Sequence, residues 1–383
     1  MNTKEIGEIR RRQRRDRSNI SKIFACYVND KKEIISEFSR STGMMSENEA
    51  DKYFALLRRT LGGTLGKNLL DITFRTEQVA GSPEHQLLMN LRGQGLNNAE
   101  YRQVFYKQVI ENLTLGTPYL ILLATEQYDV PFKSKDGDFQ SDNSEETFTY
   151  ALCAVCPVKQ TKAVLHYDPS SREFQDGNMV NAVAAPEIGF LFPAFDNRAT
   201  NIYNALYYNR SPKDNHEELV TALFNTPVAK PAQEQKESFE GMLSAALDEE
   251  CSLEVVQTVH DQLCQQILLH KESKVPEALT ISKDQVTDML EECGVSEQKI
   301  AKFSVDFEET FGLDAELYPA NIIDTKKIEI KTDDVSIKVA TDRSDLIQTR
   351  VIGGVKYILI RADENVEVKG VNIHIAGAEP AKV

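Results

Sequence analysis

The chain has no tryptophan, few cysteines and no long apolar run, and these absences exclude several classes of protein. Six cysteines in 383 residues are too sparse and too irregularly spaced for a secreted disulfide framework. No segment approaches the roughly 20 apolar residues that span a bilayer, and no apolar stretch follows the charged N-terminus as in a secretory signal. We therefore expect a cytoplasmic protein with reduced thiols and no membrane partner.

Recognisable catalytic and metal-binding motifs are also missing. Cys153 and Cys156 have the spacing of half a zinc site, but residues three apart on a strand point to opposite faces. Residues 62–68 resemble a phosphate-binding loop, but the spacing is one residue short and Asn68 replaces the hydroxyl that would hold magnesium. The loop also lies between a predicted helix and a predicted strand, the reverse of the required order, so we interpret it as a connector. We assign no catalytic residue and expect no cofactor and no metal.

Charge is distributed very unevenly along the chain. Residues 1–17 contain seven basic and three acidic side chains, whereas the whole chain carries a net charge of −15. An arginine block beside so acidic a body indicates a dedicated partner. This partner is either a phosphate-rich molecule such as RNA, DNA or a ribosome, another protein, or the chain's own acidic surface. The candidate binding residues in this block are Arg10, Arg11, Arg12, Arg14, Arg15 and Arg17.

A second group of candidate binding residues lies near the middle of the chain. Residues 185–198 form the densest apolar stretch, and cations lie close to aromatic residues after it, a mixture suited to nucleotides or single-stranded nucleic acid. The binding candidates here are Arg198, Tyr203, Tyr207 and Arg210. The plain alternative is core strands followed by a capped turn. If the chain is instead an enzyme, its site is expected near Glu187, Asp196, Asn197 and Arg198.

Periodicity and composition predict an α+β fold. Pro227 and Pro231 in a stretch without apolar periodicity indicate a linker, and Gly353-Gly354 between two apolar runs indicates a hairpin. The polar, acidic segment 133–146 predicts a mobile loop. The predicted parts are a basic helical arm at 1–17, a mixed α+β domain at 18–226, a linker at 227–235, a helical segment at 236–318, an antiparallel β module at 319–375 and a disordered tail at 376–383.

Four segments carry a resemblance to a known family. They are residues 1–12 (MNTKEIGEIRRR), 23–28 (IFACYV), 186–193 (PEIGFLFP) and 349–360 (TRVIGGVKYILI). Together they resemble one of the bacterial domain-of-unknown-function families over about residues 1–375. The resemblance implies a bacterial cytosolic protein and brings no catalytic residues. The layout, an α+β body followed by a smaller C-terminal portion, is also similar to that of nucleoid-associated proteins, which is an analogy of arrangement.

The sequence as a whole predicts a non-enzymatic cytosolic binding protein. Its arginine-rich N-terminal helix is expected to engage a macromolecular partner, with nucleic acid or a ribosome favoured. One alternative is an enzyme that acts on a nucleotide or another phosphorylated small molecule. Another is a self-associating structural protein, and a homo-oligomer is compatible with the sequence.

Overall fold

The structure is a computed structural model that describes residues 1–133, 139–140, 146–162, 165–177, 179–313, 315–332, 334–362, 366–368 and 370–373. Most of the predicted mobile loop at 133–146, and all of the predicted tail at 376–383, lie outside these residues. The chain divides into two compact units, Met1–Gln235 with Val275–Ala278 and Lys236–Lys274 with Leu279–Val383. The fold is α+β, as the sequence predicts.

The first unit is built on an antiparallel sheet of eight strands. They are β1 (Lys22–Val28), β2 (Ile34–Ser41), β3 (Leu69–Thr73), β4 (Tyr119–Val130), β7 (Glu146–Gln160), β10 (Asn181–Val183), β11 (Ile188–Phe192) and β14 (Asn204–Asn209). Seven of them follow the order β2-β1-β4-β7-β11-β14-β3, and β10 pairs with β7 outside this path. The short two-stranded ladders are β5 (Phe132–Lys133) with β6 (Phe139–Gln140), β8 (Leu165–Asp168) with β9 (Glu173–Asp176), and β12 (Ala194–Asp196) with β13 (Ala199–Asn201).

Helices cover both faces of this sheet, so its central strands are buried on both sides. Phe24 and Cys26 of β1 enter one core, and Ile23 and Ala25 enter the other, because successive side chains point to opposite faces. The first core is covered by α4 (Pro83–Leu91), α5 (Ala99–Asn112) and α6 (Glu217–Phe224). The second is covered by α1 (Thr3–Arg12) and α2 (Glu47–Arg59), and a short α3 (Thr76–Gly81) precedes α4.

The two closely spaced cysteines of β7 follow the same alternation. Cys153 lies in the first core and Cys156 in the second, so their thiols point to opposite sides of the sheet. Burial raises the pKa of Cys156 to about 12, and it raises the pKa of Cys153 as well. Both residues are therefore buried, protonated thiols at neutral pH.

The second unit begins with helices and ends with β-hairpins. Its helices are α7 (Ala232–Leu247), whose residues up to Gln235 belong to the first unit, α8 (Leu253–Ser273), α9 (Lys283–Glu292), α10 (Glu297–Phe311) and α11 (Pro319–Ile322). The strand pairs that follow are β15 (Lys327–Lys331) with β16 (Ser336–Ala340), β17 (Ile347–Ile352) with β18 (Val355–Ile360), and β19 (Val366–Val368) with β20 (Val371–Ile373). Gly353 and Gly354 form the turn between β17 and β18, as predicted. Helix α7 begins inside the segment predicted as a linker. No helix among the described residues is long and apolar enough to cross a bilayer.

Gly189 in β11 gives a test of how tightly the main sheet packs. A Cβ atom at this position would lie 2.5 Å from both the carbonyl oxygen of Cys153 and the Cγ2 of Thr60. We expect Gly189→Ala to reduce the free energy of unfolding by roughly 1–3 kcal/mol, measured by urea denaturation. Gly43→Ala is the control, because a Cβ there meets nothing within 4 Å. Equal stability of the two variants would contradict the described packing.

Candidate anion-binding cleft

Helix α1 positions the arginine-rich arm on the second core. Ile6 and Ile9 are buried on its inner side. The helix ends at Arg12, and Gln13 caps it with a non-helical backbone, so α1 is shorter than the arm predicted over residues 1–17. The helix ends at this point because the Gln13 side chain forms hydrogen bonds in a buried polar network.

A buried carboxylate, Glu126 of β4, is the centre of that network. The Arg12 guanidinium donates to its Oε1 from Nε at 3.0 Å and Nη2 at 2.6 Å, and the Asn19 amide N–H donates to the same oxygen at 3.1 Å. Oε2 accepts from Gln13 Nε2 at 3.0 Å and from the Tyr150 hydroxyl. Burial raises the pKa of Tyr150, and the neighbouring Glu126 carboxylate raises it further. The Tyr150 hydroxyl therefore stays protonated and donates its hydrogen bond. Arg12 is thus turned inward, to the chain's own carboxylate.

Arg198 also contacts the N-terminal helix. Its Nη1 pairs with Glu8 of α1, and its Nη2 donates to the Pro131 carbonyl oxygen at 2.9 Å. The Tyr128 hydroxyl donates to the other Glu8 oxygen at 2.7 Å. This predicted binding residue therefore helps to hold α1 on the sheet.

The remaining arginines of the arm lie at the surface. Arg15 pairs with Glu47, and Arg17 lies 3.7 Å from the carboxylate of the residue before it. Arg11 and Arg14 are exposed, and neither forms an ion pair with a residue that the structure describes. The arm therefore contains both internally paired arginines and free ones.

The predicted aromatic residues do not gather into one surface. Tyr207 is buried in the first core, and its hydroxyl donates to the Asn215 carbonyl oxygen at 3.1 Å. Tyr208, next along β14, is buried in the second core. Tyr203 is exposed in the turn before β14. Because adjacent strand residues point to opposite faces, the rings of Tyr207 and Tyr208 lie on opposite sides of the sheet.

Of the residues suggested for an enzyme site, Glu187 is separated from the other three. Glu187 precedes β11, and Asp196 lies beyond its other end, so a five-residue strand of about 3.3 Å per residue stands between them. Asn197 and Arg198, with φ of 51° and 60°, form the two-residue turn between β12 and β13. Their unusual backbone is explained by the hairpin alone.

Four arginines converge on one cleft of the first unit. Arg10 comes from α1, Arg58 and Arg59 from the last turn of α2, and Arg210 from the residue after β14. We call this the arginine cleft, and its volume is about 500 Å³. Its other lining residues are Ala55, Gly62, Gly63, Asn68 and Tyr208. The cleft unites two of the predicted binding residues, Arg10 and Arg210, with two that the sequence does not single out.

The glycine loop between α2 and β3 lies against Arg10 and Asn68. A Cβ on Gly62 would lie 3.5 Å from the guanidinium carbon of Arg10. Gly63 has φ of +131°, and a Cβ there would lie 2.5 Å from the Asn68 Cβ. Asn68 Nδ2 donates to the carbonyl oxygens of Asn209 at 3.1 Å and of Arg210 at 3.3 Å. The loop therefore ties the end of α2 to the segment that carries Arg210.

Positive charge dominates the cleft. The only carboxylate paired with a cleft arginine among the described residues is Glu187, 3.7 Å from Arg210, so the group has a net charge of +3. The positive charge of Arg59 acts on the Tyr208 hydroxyl and partly offsets the effect of burial on its pKa. Burial raises the pKa of Tyr208, so this hydroxyl is protonated at neutral pH. Uncompensated arginines with planar donor forks suit the recognition of phosphate or carboxylate groups.

Arg58, Arg59 and Asn68 are the cleft residues that the sequence does not mark as binding residues. The available signal was two adjacent arginines followed closely by Gly62-Gly63. That signal is weak, because basic residues in the last turn of a helix are an ordinary complement to its dipole. The observed order of α2, loop and β3 agrees with the argument against a nucleotide-binding loop.

Replacing Arg12 and replacing Arg15 should have very different effects on stability. Arg12→Ala leaves the fully buried Glu126 without its ion partner, which we expect to lower the free energy of unfolding by about 3–5 kcal/mol. Arg15→Ala removes an exposed pair with Glu47 and should cost about 0–1 kcal/mol. Urea denaturation measures both, and adding Glu126→Gln to Arg12→Ala should recover part of the loss. Similar losses for the two single variants would show that Arg12 does not anchor the arm.

Comparison with known proteins identifies the family. The family model described as "Domain of unknown function (DUF4317)" matches residues 1–371, nearly the whole chain. No curated protein matches the chain. The matched range contains the basic arm and every residue of the arginine cleft, and it confirms the resemblance inferred from the four sequence segments. The chain belongs to the DUF4317 family.

Proposed function

We propose that the chain is a non-enzymatic cytoplasmic binding protein that engages a phosphate-bearing macromolecule, nucleic acid either free or within a ribosome. The binding surface in this proposal consists of the exposed arm arginines, Arg10, Arg11 and Arg14, together with the arginine cleft. The observation that carries the proposal is the position of Arg10. It belongs to the arm and also lines the cleft, which places the arm next to three arginines distant in sequence.

The fixed position of α1 supports this proposal. Arg12 holds the end of the helix at Glu126, and Glu8 holds its middle through Arg198 and Tyr128. Arginines on an anchored helix lose less conformational freedom when a ligand binds than those on an unfolded arm. Neutralising phosphates with such side chains releases counterions, which supplies most of the affinity in sequence-independent binding.

The chemistry of the cleft supports binding in preference to turnover. Its described lining combines arginine, glycine, alanine, asparagine and tyrosine. Arginine stays protonated and cannot act as a general base, and the Tyr208 hydroxyl is held in its neutral form. The surrounding acidic chain, with a net charge of −15, would repel polyanions elsewhere on its surface and direct them to this region.

The salt dependence of nucleic-acid binding tests the proposal. For a labelled RNA of about 20 nucleotides, log affinity should fall with log salt at a slope of about −0.7 per phosphate neutralised. Arg10→Ser/Arg11→Ser/Arg14→Ser should weaken binding and flatten that slope by about two units. Fluorescence anisotropy over a salt series measures both quantities for parent and variant.

The matched control removes three exposed arginines that already have carboxylate partners. Arg15→Ser/Arg17→Ser/Arg40→Ser makes the same change in net charge, and these side chains pair with Glu47, Asp16 and Glu49. We expect it to keep a slope near that of the parent. The proposal fails if the parent binds no RNA or ribosome at low salt, or if the two triple variants flatten the slope equally.

A further inference from the structure

We infer that the arginine cleft binds a compact oligophosphate, the di- or triphosphate group of a nucleotide or of a nucleic-acid 5′ end. This inference deepens the proposed function and rests on the same surface, but it names the chemistry of the ligand. It concerns Arg10, Arg58, Arg59 and Arg210, whereas Arg11 and Arg14 belong to the surface outside the cleft.

The density of positive charge in the cleft exceeds what a nucleic-acid backbone needs. Four guanidinium groups and one carboxylate leave a net charge of +3 around about 500 Å³. A backbone strand brings about one negative charge per nucleotide, so a space of this size accommodates only about one or two of its phosphates. A terminal phosphate carries nearly two charges at neutral pH, so a di- or triphosphate places about three or four in the same space. The oligophosphate is therefore the better match in charge.

The positions of the arginines in the chain also favour a compact ligand. Arg10, the Arg58-Arg59 pair and Arg210 line the cleft from three separate segments of the chain. A row of arginines along one helix would follow an extended backbone. A cluster from three segments instead surrounds a single group, and guanidinium forks can each donate two hydrogen bonds to phosphate oxygens.

The cleft shows no surface for reading a base. Tyr208 is the one aromatic residue in its described lining, and its ring lies in the second core at 4% exposure. Stacking on a base requires an exposed aromatic face. Recognition should therefore depend on the phosphates, and inorganic tripolyphosphate, ATP and GTP should bind with similar affinity.

Calorimetry with inorganic tripolyphosphate, ATP and GTP at low salt tests the inference on the full chain. The variant Arg58→Ser/Arg59→Ser should bind tripolyphosphate at least tenfold more weakly than the parent. Arg11→Ser/Arg14→Ser removes the same charge outside the cleft and should change this affinity less than threefold. If the first variant does not fold, Arg58→Lys/Arg59→Lys keeps both charges and should still weaken binding, because lysine lacks the planar fork.

Two RNAs of one sequence, with a 5′-triphosphate or a 5′-hydroxyl, distinguish the sources of the ligand. Tighter binding of the triphosphate RNA than of both the 5′-hydroxyl RNA and ATP identifies a nucleic-acid end, and tighter binding of ATP than of the triphosphate RNA identifies the free nucleotide. Tripolyphosphate binding without any RNA binding supports the inference and overturns the proposed function. The inference is overturned if tripolyphosphate does not bind, or if the Arg58/Arg59 variant binds it as the parent does, even where RNA binding persists.

Discussion

The ion pair between Arg12 and the buried Glu126 determines where the N-terminal arm lies. Taking a carboxylate out of water costs several kcal/mol unless donors surround it. Here Arg12 and Gln13 come from the arm, the Asn19 amide comes from the segment between the arm and β1, and Tyr150 comes from the neighbouring strand β7. One carboxylate on a central strand therefore ends α1 and directs the chain toward β1. The network makes docking of the arm a requirement for satisfying a buried charge.

This docking divides the arginines of the arm into two roles. Successive helix residues are separated by about 100° around the axis, so Arg10 and Arg12 point in nearly opposite directions. Arg12 faces Glu126, and Arg10 faces the glycine loop after α2. The two sequence hypotheses, an arm paired with its own protein and an arm that meets phosphates, thus apply to different side chains of one helix.

Much of the fold could be predicted from local pattern, and the cleft could not. The cap of α2 at Ser46, the opposite faces of Cys153 and Cys156, and the hairpin at Gly353-Gly354 each depend on residues close in sequence. The arginine cleft joins Arg10 to Arg210 across two hundred residues, and no spacing rule connects such distant positions. The role of Glu126 could not be predicted either, because a single acidic residue in an apolar strand forms no recognisable sequence pattern.

The central claim is that an anchored α1 presents Arg10 to a ligand held also by Arg58, Arg59 and Arg210. A crystal structure of the chain with tripolyphosphate would test it most directly. The account predicts phosphate oxygens within hydrogen-bonding distance of Arg10 and at least one arginine of α2, with Arg12 still paired to Glu126. Tripolyphosphate bound elsewhere, or bound only after α1 has left Glu126, would contradict it.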